Sequence, residues 1–155
     1  MRLPTRDDLD NLPHTPAEPD VFTRDELAAL IPKLETLLAS GHLVPLLVVD
    51  PETTEILGGG TFRHLDPTGA VVEIGYWLYP RARGRGVATK AARALAEHAF
   101  DLGIQRVVAC VKLGNGASER VLQRAKFTRE GIARSVPTAG GDRVDKAVWS
   151  LLPGE

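Results

Sequence analysis

The sequence predicts an α/β protein built on a mixed, mostly antiparallel sheet with helices on both faces. Three observations predict it. Residues 73–102 read as a strand, a glycine- and arginine-rich turn and an amphipathic helix (EIGYWLYP, RARGRG, VATKAARALAEHAFDL). Soon after comes Arg106-Val107-Val108-Ala109-Cys110-Val111, a continuous apolar run of the kind buried in the middle of a sheet. Strand pairs separated by turn residues flank this unit on both sides, within 43–64 and 127–152. A strand–helix–strand crossover makes its two strands parallel, whereas hairpins add antiparallel strands.

Residues 1–22 carry Pro4, Pro13, Pro16, Pro19 and an acidic patch, Asp7-Asp8-Leu9-Asp10, and are expected to hold one short helix between turns. Thr23-Arg24-Asp25-Glu26 has the spacing of a capping box, and Leu27, Leu30, Ile31, Leu34, Leu37 and Leu38 follow at helical intervals. Pro32 lies inside that pattern, so the helix should kink or split there, with Gly41 ending it. Leu43–Val49 and Ile56–His64 read as strands joined by Asp50-Pro51-Glu52-Thr53-Thr54. Gly58-Gly59-Gly60 weakens the second of them; a bulge is the favoured reason, close approach of another backbone the alternative. Asp66-Pro67-Thr68-Gly69 turns the chain into the strand at 71–78, where Ile74, Tyr76 and Leu78 alternate with Glu73, Gly75 and Trp77. Pro80, with no N–H to donate, marks its end.

After Gly86, the residues Val87, Ala91, Leu95, Ala99 and Leu102 recur at helical spacing, and Gly103 stands at the expected helix stop. Lys112–Gly116 is a loop and Ser118–Ala125 a short helix. Phe127–Pro137 and Arg143–Leu152 form the last hairpin, turning at Ala139-Gly140-Gly141-Asp142.

A chain of 155 residues is one domain by length. Its formal charge of −1 provides no global basic field, which argues against nucleic acid as a partner. One cysteine excludes an intramolecular disulfide, and no Cys/His cluster has zinc spacing, so no metal is expected. Cys110, in its apolar strand, reads as a small core residue. His14, His42, His64 and His98 have no partners in sequence. No apolar run resembles a signal peptide or approaches membrane-spanning length, and a cytoplasmic protein without a membrane partner is expected.

The chemistry concentrates in the turn. The first-turn N–H groups of a helix lack intrahelical partners and sit at the positive end of its dipole. Gly84 and Gly86 let backbone approach a phosphate without a Cβ in the way, and Arg81, Arg83 and Arg85 add donors matched to phosphate oxygens. A phosphorylated ligand at residues 81–89 follows; the plainer reading is a basic surface turn that needs glycine for shape alone. A P-loop is excluded because no Gly-x-x-x-x-Gly-Lys-Ser/Thr occurs. A dinucleotide fold is disfavoured, because Gly84-Arg85-Gly86-Val87-Ala88 is followed by Thr89 and the next strand lacks a ribose-binding acid.

Arg81-Ala82-Arg83-Gly84-Arg85-Gly86 resembles the acetyl-CoA-binding motif of the GNAT superfamily of N-acetyltransferases, Arg/Gln-x-x-Gly-x-Gly/Ala. EIGYW before it, Asn115-Gly116-Ala117-Ser118 with a short helix ending in Phe127 after it, and Asp145 followed by KAVWSLL resemble the RimJ/RimL-like subgroup, which acetylates N-terminal amines of ribosomal proteins. The likeness covers residues 43–152 well and 3–40 more loosely. The family's first strand is represented only by Met1-Arg2-Leu3, so that strand looks truncated, leaving a sheet edge to be covered by a partner chain or by sequence upstream.

The resemblance implies a GNAT fold, in which the central parallel strands splay apart at their C-terminal ends. It implies acetyl-CoA as co-substrate, its pantetheine arm pairing around Trp77, Leu78 and Tyr79 and its pyrophosphate at Arg81, Arg83, Gly84, Arg85, Gly86, Val87 and Ala88. Glu73 is the candidate base for the acceptor amine, the plainer reading being a solvated or salt-bridged strand residue. Many family members carry a tyrosine acid where this chain has Leu122; Ser118 could donate to the sulfur instead, and otherwise serves as an N-cap. Asn115 binds the CoA arm or a water, or is simply a loop residue tolerating a left-handed backbone. Lys126 replaces a glycine usual in the family. The implied reaction is direct acetyl transfer to a primary amine, a protein N-terminus or a small molecule; a non-catalytic acyl-CoA-binding domain is the rival, and a homodimer stays open.

Overall fold

The computed structural model describes residues 1–12, 23–40, 43–64, 66, 68, 70–138 and 140–155. Six strands form one sheet: β1 (Leu43–Val49), β2 (Ile56–Arg63), β3 (Val71–Leu78), β4 (Arg106–Lys112), β5 (Thr128–Pro137) and β6 (Arg143–Leu151). Their spatial order is β1-β2-β3-β4-β6-β5, and every neighbouring pair is antiparallel except β3–β4. The helices are α1 (Asp8–Asn11), α2 (Arg24–Leu30), α3 (Leu34–Ser40), α4 (Val87–Asp101) and α5 (Gly116–Arg124).

One face of the sheet carries the main core. Val72 and Ile74 of β3 and Val107, Ala109 and Val111 of β4 pack against Ala92, Leu95, Ala96 and Ala99 of α4 and Leu122 of α5. The expected α4 stripe holds through Ala99 and fails at Leu102, which is 67% exposed because the helix has already ended at Asp101. On the other face, Leu12 and Leu27, from the segment after α1 and from α2, close over Leu47, Ile56 and Tyr79, with Trp77 at the margin.

The capping box forms: Glu26 N donates to Thr23 Oγ1 (3.2 Å) and Thr23 N to Glu26 Oε2 (2.8 Å). Pro32 splits the long helical pattern into α2, a 3-10 turn at Ile31–Lys33, and α3. The stop expected at Gly41, the turns through 13–22, and His14 and His42 lie outside the described residues.

The glycine run in β2 has a different cause from the bulge expected of it. Gly58 to Gly60 pair regularly with Leu78 to Tyr76, and the irregularity lies beside the run, where Val48 faces Gly58 and Val49 faces Ile56. A Cβ on Gly59 would stand 2.7 Å from the Trp77 ring, and one on Gly58 2.2 Å from the Trp77 carbonyl oxygen. Close approach of β3 is what excludes side chains there.

The N-terminal stretch is joined to the sheet by one bridge. Leu47 N donates to Arg2 O (2.8 Å) and Arg2 N to Leu47 O (3.2 Å), so the edge of β1 is met at a single residue. Buried Asp8 anchors this bridge. It accepts both arms of the Arg2 guanidinium (2.6 and 2.5 Å), the Thr5 N–H (2.7 Å) and the Thr5 hydroxyl (2.8 Å). Those bonds, Arg2 foremost, hold its carboxyl down at about 2.

Candidate active site

The parallel ladder between β3 and β4 has three rungs, Val71↔Arg106, Val72↔Val107 and Glu73↔Val108. Beyond Glu73 the strands run on, to Leu78 and to Lys112, without pairing to each other. Alternate backbone groups of Ile74–Leu78 therefore face an opening, where buried N–H and C=O groups need a partner. An extended ligand bearing amides can supply one.

The opening leads to the turn singled out in the sequence. Gly84 and Gly86 have φ of +74° and +77°, and Gly86 is the N-cap of α4. A Cβ built on either meets nothing within 4 Å. Their side-chain positions are thus clear of protein, and a left-handed backbone at the helix start turns the first N–H groups outward.

The three arginines of the turn divide. Arg81 binds inward: its guanidinium pairs with Glu55, donates to Ile56 O (2.9 Å) and lies over the Tyr79 ring at 5.2 Å. Arg83 Nε donates to Leu78 O (3.0 Å). Arg85 is exposed and makes no hydrogen bond or ion pair among the described residues. Two backbone groups expected to meet the pantetheine also have internal partners, since Leu78 O accepts from Arg83 and Tyr79 N donates to Leu57 O (3.0 Å). Trp77 remains, with an indole N–H that has no partner among the described residues. Val87 and Ala88 pack under the turn against Leu78, Ala82 and Ala91.

Glu73 is half-buried on the sheet face away from α4, with no hydrogen bond or ion pair among the described residues. Gly75 follows on the same face, as do Cys110 of β4 and Lys146 of β6 across the opening. Burial, and then the Glu73 charge, push the Cys110 thiol up. Cys110 is half-buried on this face and lies outside the α4 core, a correction to the sequence reading that comes from the parity of β4.

Helix α5 begins at Gly116, earlier than its pattern suggested. Asn115 is the N-cap, its Oδ1 accepting from Ser118 N (3.2 Å), and with φ of −81° its backbone is not left-handed. Ser118 therefore sits in the first turn and is not the cap. Across the opening the Tyr76 hydroxyl donates to Ser118 O at 3.3 Å, fastening β3 to α5, and burial pushes that phenol up. Leu122 is fully buried in the core.

Sequence reasoning did not find a groove of about 630 Å³ between α4 and the end of α5, lined by Lys90, Arg93, Arg124 and Lys126 with Glu97 and Glu155. Its signal was the spacing of Lys90 and Arg93 on the α4 face turned from the core. No group of three metal-ligating side chains occurs among the described residues. None of their helices is long and apolar enough to cross a membrane.

Residues 1–128 match the family model described as "Acetyltransferase (GNAT) domain". The chain belongs to the GNAT acetyltransferase family. It is 36% identical over 96 residues to the Bacillus subtilis (strain 168) protein named "Putative ribosomal N-acetyltransferase YdaF", covering 61% of this chain and 52% of that one. It is 33% identical over 81 residues to the Escherichia coli (strain K12) "Ribosomal-protein-serine acetyltransferase", covering 52% and 45%. The chain thus spans about half the length of these curated relatives. Among solved structures, RimL, described as a ribosomal L7/L12 α-N-protein acetyltransferase in complex with coenzyme A, superposes with a TM-score of 0.72 at 26% identity, over 84% of this chain and 73% of that one. The ribosomal-protein-S5-alanine acetyltransferase of Vibrio fischeri superposes at 0.79 with 20% identity, over 99% and 92%, a likeness of fold.

Proposed function

We propose that the chain transfers the acetyl group of acetyl-CoA to a primary amine, with a protein N-terminal α-amine as the acceptor class its relatives' names favour. The observation that carries this reading is the opening of the β3–β4 ladder at Glu73, continuous with the left-handed turn at Gly84 and Gly86. An extended amide-bearing arm fits the first and a pyrophosphate the second. The proposed binding set is the free backbone groups around Trp77, the turn from Arg83 to Ala88, and Asn115, with Arg81, Leu78 O and Tyr79 N holding the turn in place through their internal partners. The basic groove beyond Lys90 receives the nucleotide end.

Acetyl-CoA, when bound, supplies an acyl carbon activated as a thioester. The chain's own residues bind, orient and move protons. Glu73 receives the proton of the acceptor amine, and the Ser118 hydroxyl, held beside the opening by the Tyr76 bond to its carbonyl, is the donor for the departing sulfur. A weak base suffices for an α-amine, which with a pKa of ~8 is roughly a fifth to a third neutral near pH 7.4. A lysine amine, at ~10.4, is only about 0.1% neutral there. We place the enzyme in the cytoplasm, working as one domain.

Thermal unfolding with acetyl-CoA, CoA, ATP and NAD, each alone, tests the reading. A ligand at about 100 times its dissociation constant adds roughly 2.7 kcal/mol, several degrees for a domain of this size. A shift with the two CoA forms only is expected. A shift with ATP or NAD instead, or none with CoA, overturns it.

A further inference from the structure

One arginine outside the turn faces the reacting centre. Phe62 stacks on His98 of α4 (centroids 6.0 Å apart), so its neighbours Thr61 and Arg63 point to the opposite face, the face of Glu73 and Gly75. Across the β2–β3 pair Thr61 stands opposite Gly75, and Arg63 opposite Glu73. Arg63 Nε donates to Thr61 Oγ1 (3.0 Å), and Thr61 is only 1% exposed, so the guanidinium is tethered at its inner edge. Its outer part lies over Gly75, where a Cβ would come within 3.2 Å of Nη2 and 3.4 Å of Cζ. Neither Nη atom has a hydrogen bond or ion-pair partner among the described residues. A half-buried guanidinium with its fork unused therefore sits at the mouth of the opening, beside the proposed base.

Resting on the acetyltransferase reading, we propose that Arg63 sets acceptor specificity by binding the oxygen of a carbonyl or carboxylate attached to the carbon that bears the reacting amine. Side chains directly opposite in an antiparallel pair start about 5 Å apart, so Glu73 and Arg63 can address two atoms of one small group. In an α-aminoacyl unit the amine nitrogen and the carbonyl oxygen lie about 3 Å apart by bond lengths. The amine can then meet Glu73 while the oxygen accepts from the Arg63 fork. A lysine ε-amine has no oxygen at that distance, and a plain alkyl amine has none at all. The guanidinium fork also suits such an oxygen better than an ammonium would. Arg63 contributes binding and orientation, and the proton still leaves through Glu73.

The test compares wild type with Arg63→Gln and Arg63→Lys on four acceptors: an alanine tripeptide amide, free alanine, Nα-acetyl-lysine amide and propylamine. Arg63→Gln is expected to lower kcat/KM for the α-amine acceptors roughly tenfold to a hundredfold, mainly through KM, the loss for one hydrogen bond to a charged group. The residual rate with propylamine and the CoA-induced thermal shift should stay unchanged. Arg63→Lys should recover part of the loss. Thr61→Val, which frees the tether and keeps the charge, should raise KM for the same acceptors by less. A loss on the tripeptide amide identifies a peptide carbonyl as the oxygen; a loss confined to free alanine identifies a carboxylate. An equal effect of Arg63→Gln on all four acceptors, or none on any, overturns the proposal while leaving the acetyltransferase reading standing. Wild type that binds CoA yet turns over only the alkyl and lysine amines also overturns it. Wild type that neither binds CoA nor acetylates any of the four removes both.

Discussion

Glu73 and Val108 are the last rung of the parallel ladder: up to that pair β3 and β4 share hydrogen bonds, and after it they separate. The proposed base thus stands where the strands part, and beyond it the backbone of Ile74–Trp77 pairs with β2 but not with β4. Removing its charge tests that placement. Glu73→Gln should lower kcat about tenfold to a hundredfold at pH 7 with an α-amine acceptor, and the deficit should narrow toward pH 9 as the acceptor deprotonates unaided. A pH–rate profile of both proteins checks this. A deficit constant with pH would assign Glu73 a part other than proton removal.

The turn gives a second prediction. Gly86 is left-handed, so Gly86→Ala should cost about 1 kcal/mol of stability from backbone strain. Because its Cβ position is clear of protein, a larger acidic side chain there should repel a phosphate without disrupting packing. Gly86→Glu should therefore fold and lose the CoA-induced thermal shift. A retained shift would move the pyrophosphate elsewhere.

The arginines beside it should behave unequally. Arg81 is committed to Glu55, the Ile56 carbonyl and the Tyr79 ring, so Arg81→Ala should lower Tm with little change in the dissociation constant for CoA. Arg85→Ala should leave Tm nearly unchanged and weaken CoA by several-fold, more at low salt than at high. Calorimetric titration at two ionic strengths separates the two.

That division could not be read from Arg-x-Arg-x-Arg, which displays three equivalent cations. It is set by Glu55 and Ile56, about 25 residues away in the chain, and so belongs to tertiary structure. The strands themselves, the crossover and α4 were legible because period and glycine position specify them locally, whereas the sheet order that sets β6 between β4 and β5 is tertiary. Gly58–Gly60 shows the limit. The composition announced a special site, but the Trp77 ring and backbone that occupy the space come from the neighbouring strand. Arg63 was invisible for the same reason, as only the register of β2 on β3 puts it opposite Glu73.

Asp8 gives a pH dependence with a definite sign. Its carboxyl is held at about 2, below the ordinary 3.8, so the folded state favours the charged form. The stability this supplies is fully present above about pH 5 and is lost as pH falls through 4 toward 2. By linkage it amounts to about 2 kcal/mol. Asp8→Asn should remove most of that difference and flatten the stability curve between pH 5 and 3, as read by urea unfolding. An unchanged slope would assign acid sensitivity to other carboxylates, with Glu130, held at about 2 by Arg106 and Ser150, the next to examine.

The end of α5 offers a stabilising change. Lys126 has φ of +72°, and the bonds Phe127 N to Leu122 O (3.0 Å) and Lys126 N to Gln123 O (3.1 Å) form the paired helix stop that normally carries glycine. Relief of left-handed strain is worth about 1 kcal/mol, partly offset by the greater freedom of glycine in the unfolded chain. Lys126→Gly should therefore raise stability by a few tenths to about 1 kcal/mol, or roughly 1–3 °C in Tm. Lys126 also lines the basic groove beside α4, so the same substitution should weaken CoA binding. A rise in Tm without ligand, together with a smaller CoA-induced shift, would show a strained lysine kept for the charge it brings to the nucleotide end. A rise in Tm with CoA affinity unchanged would remove Lys126 from the binding surface.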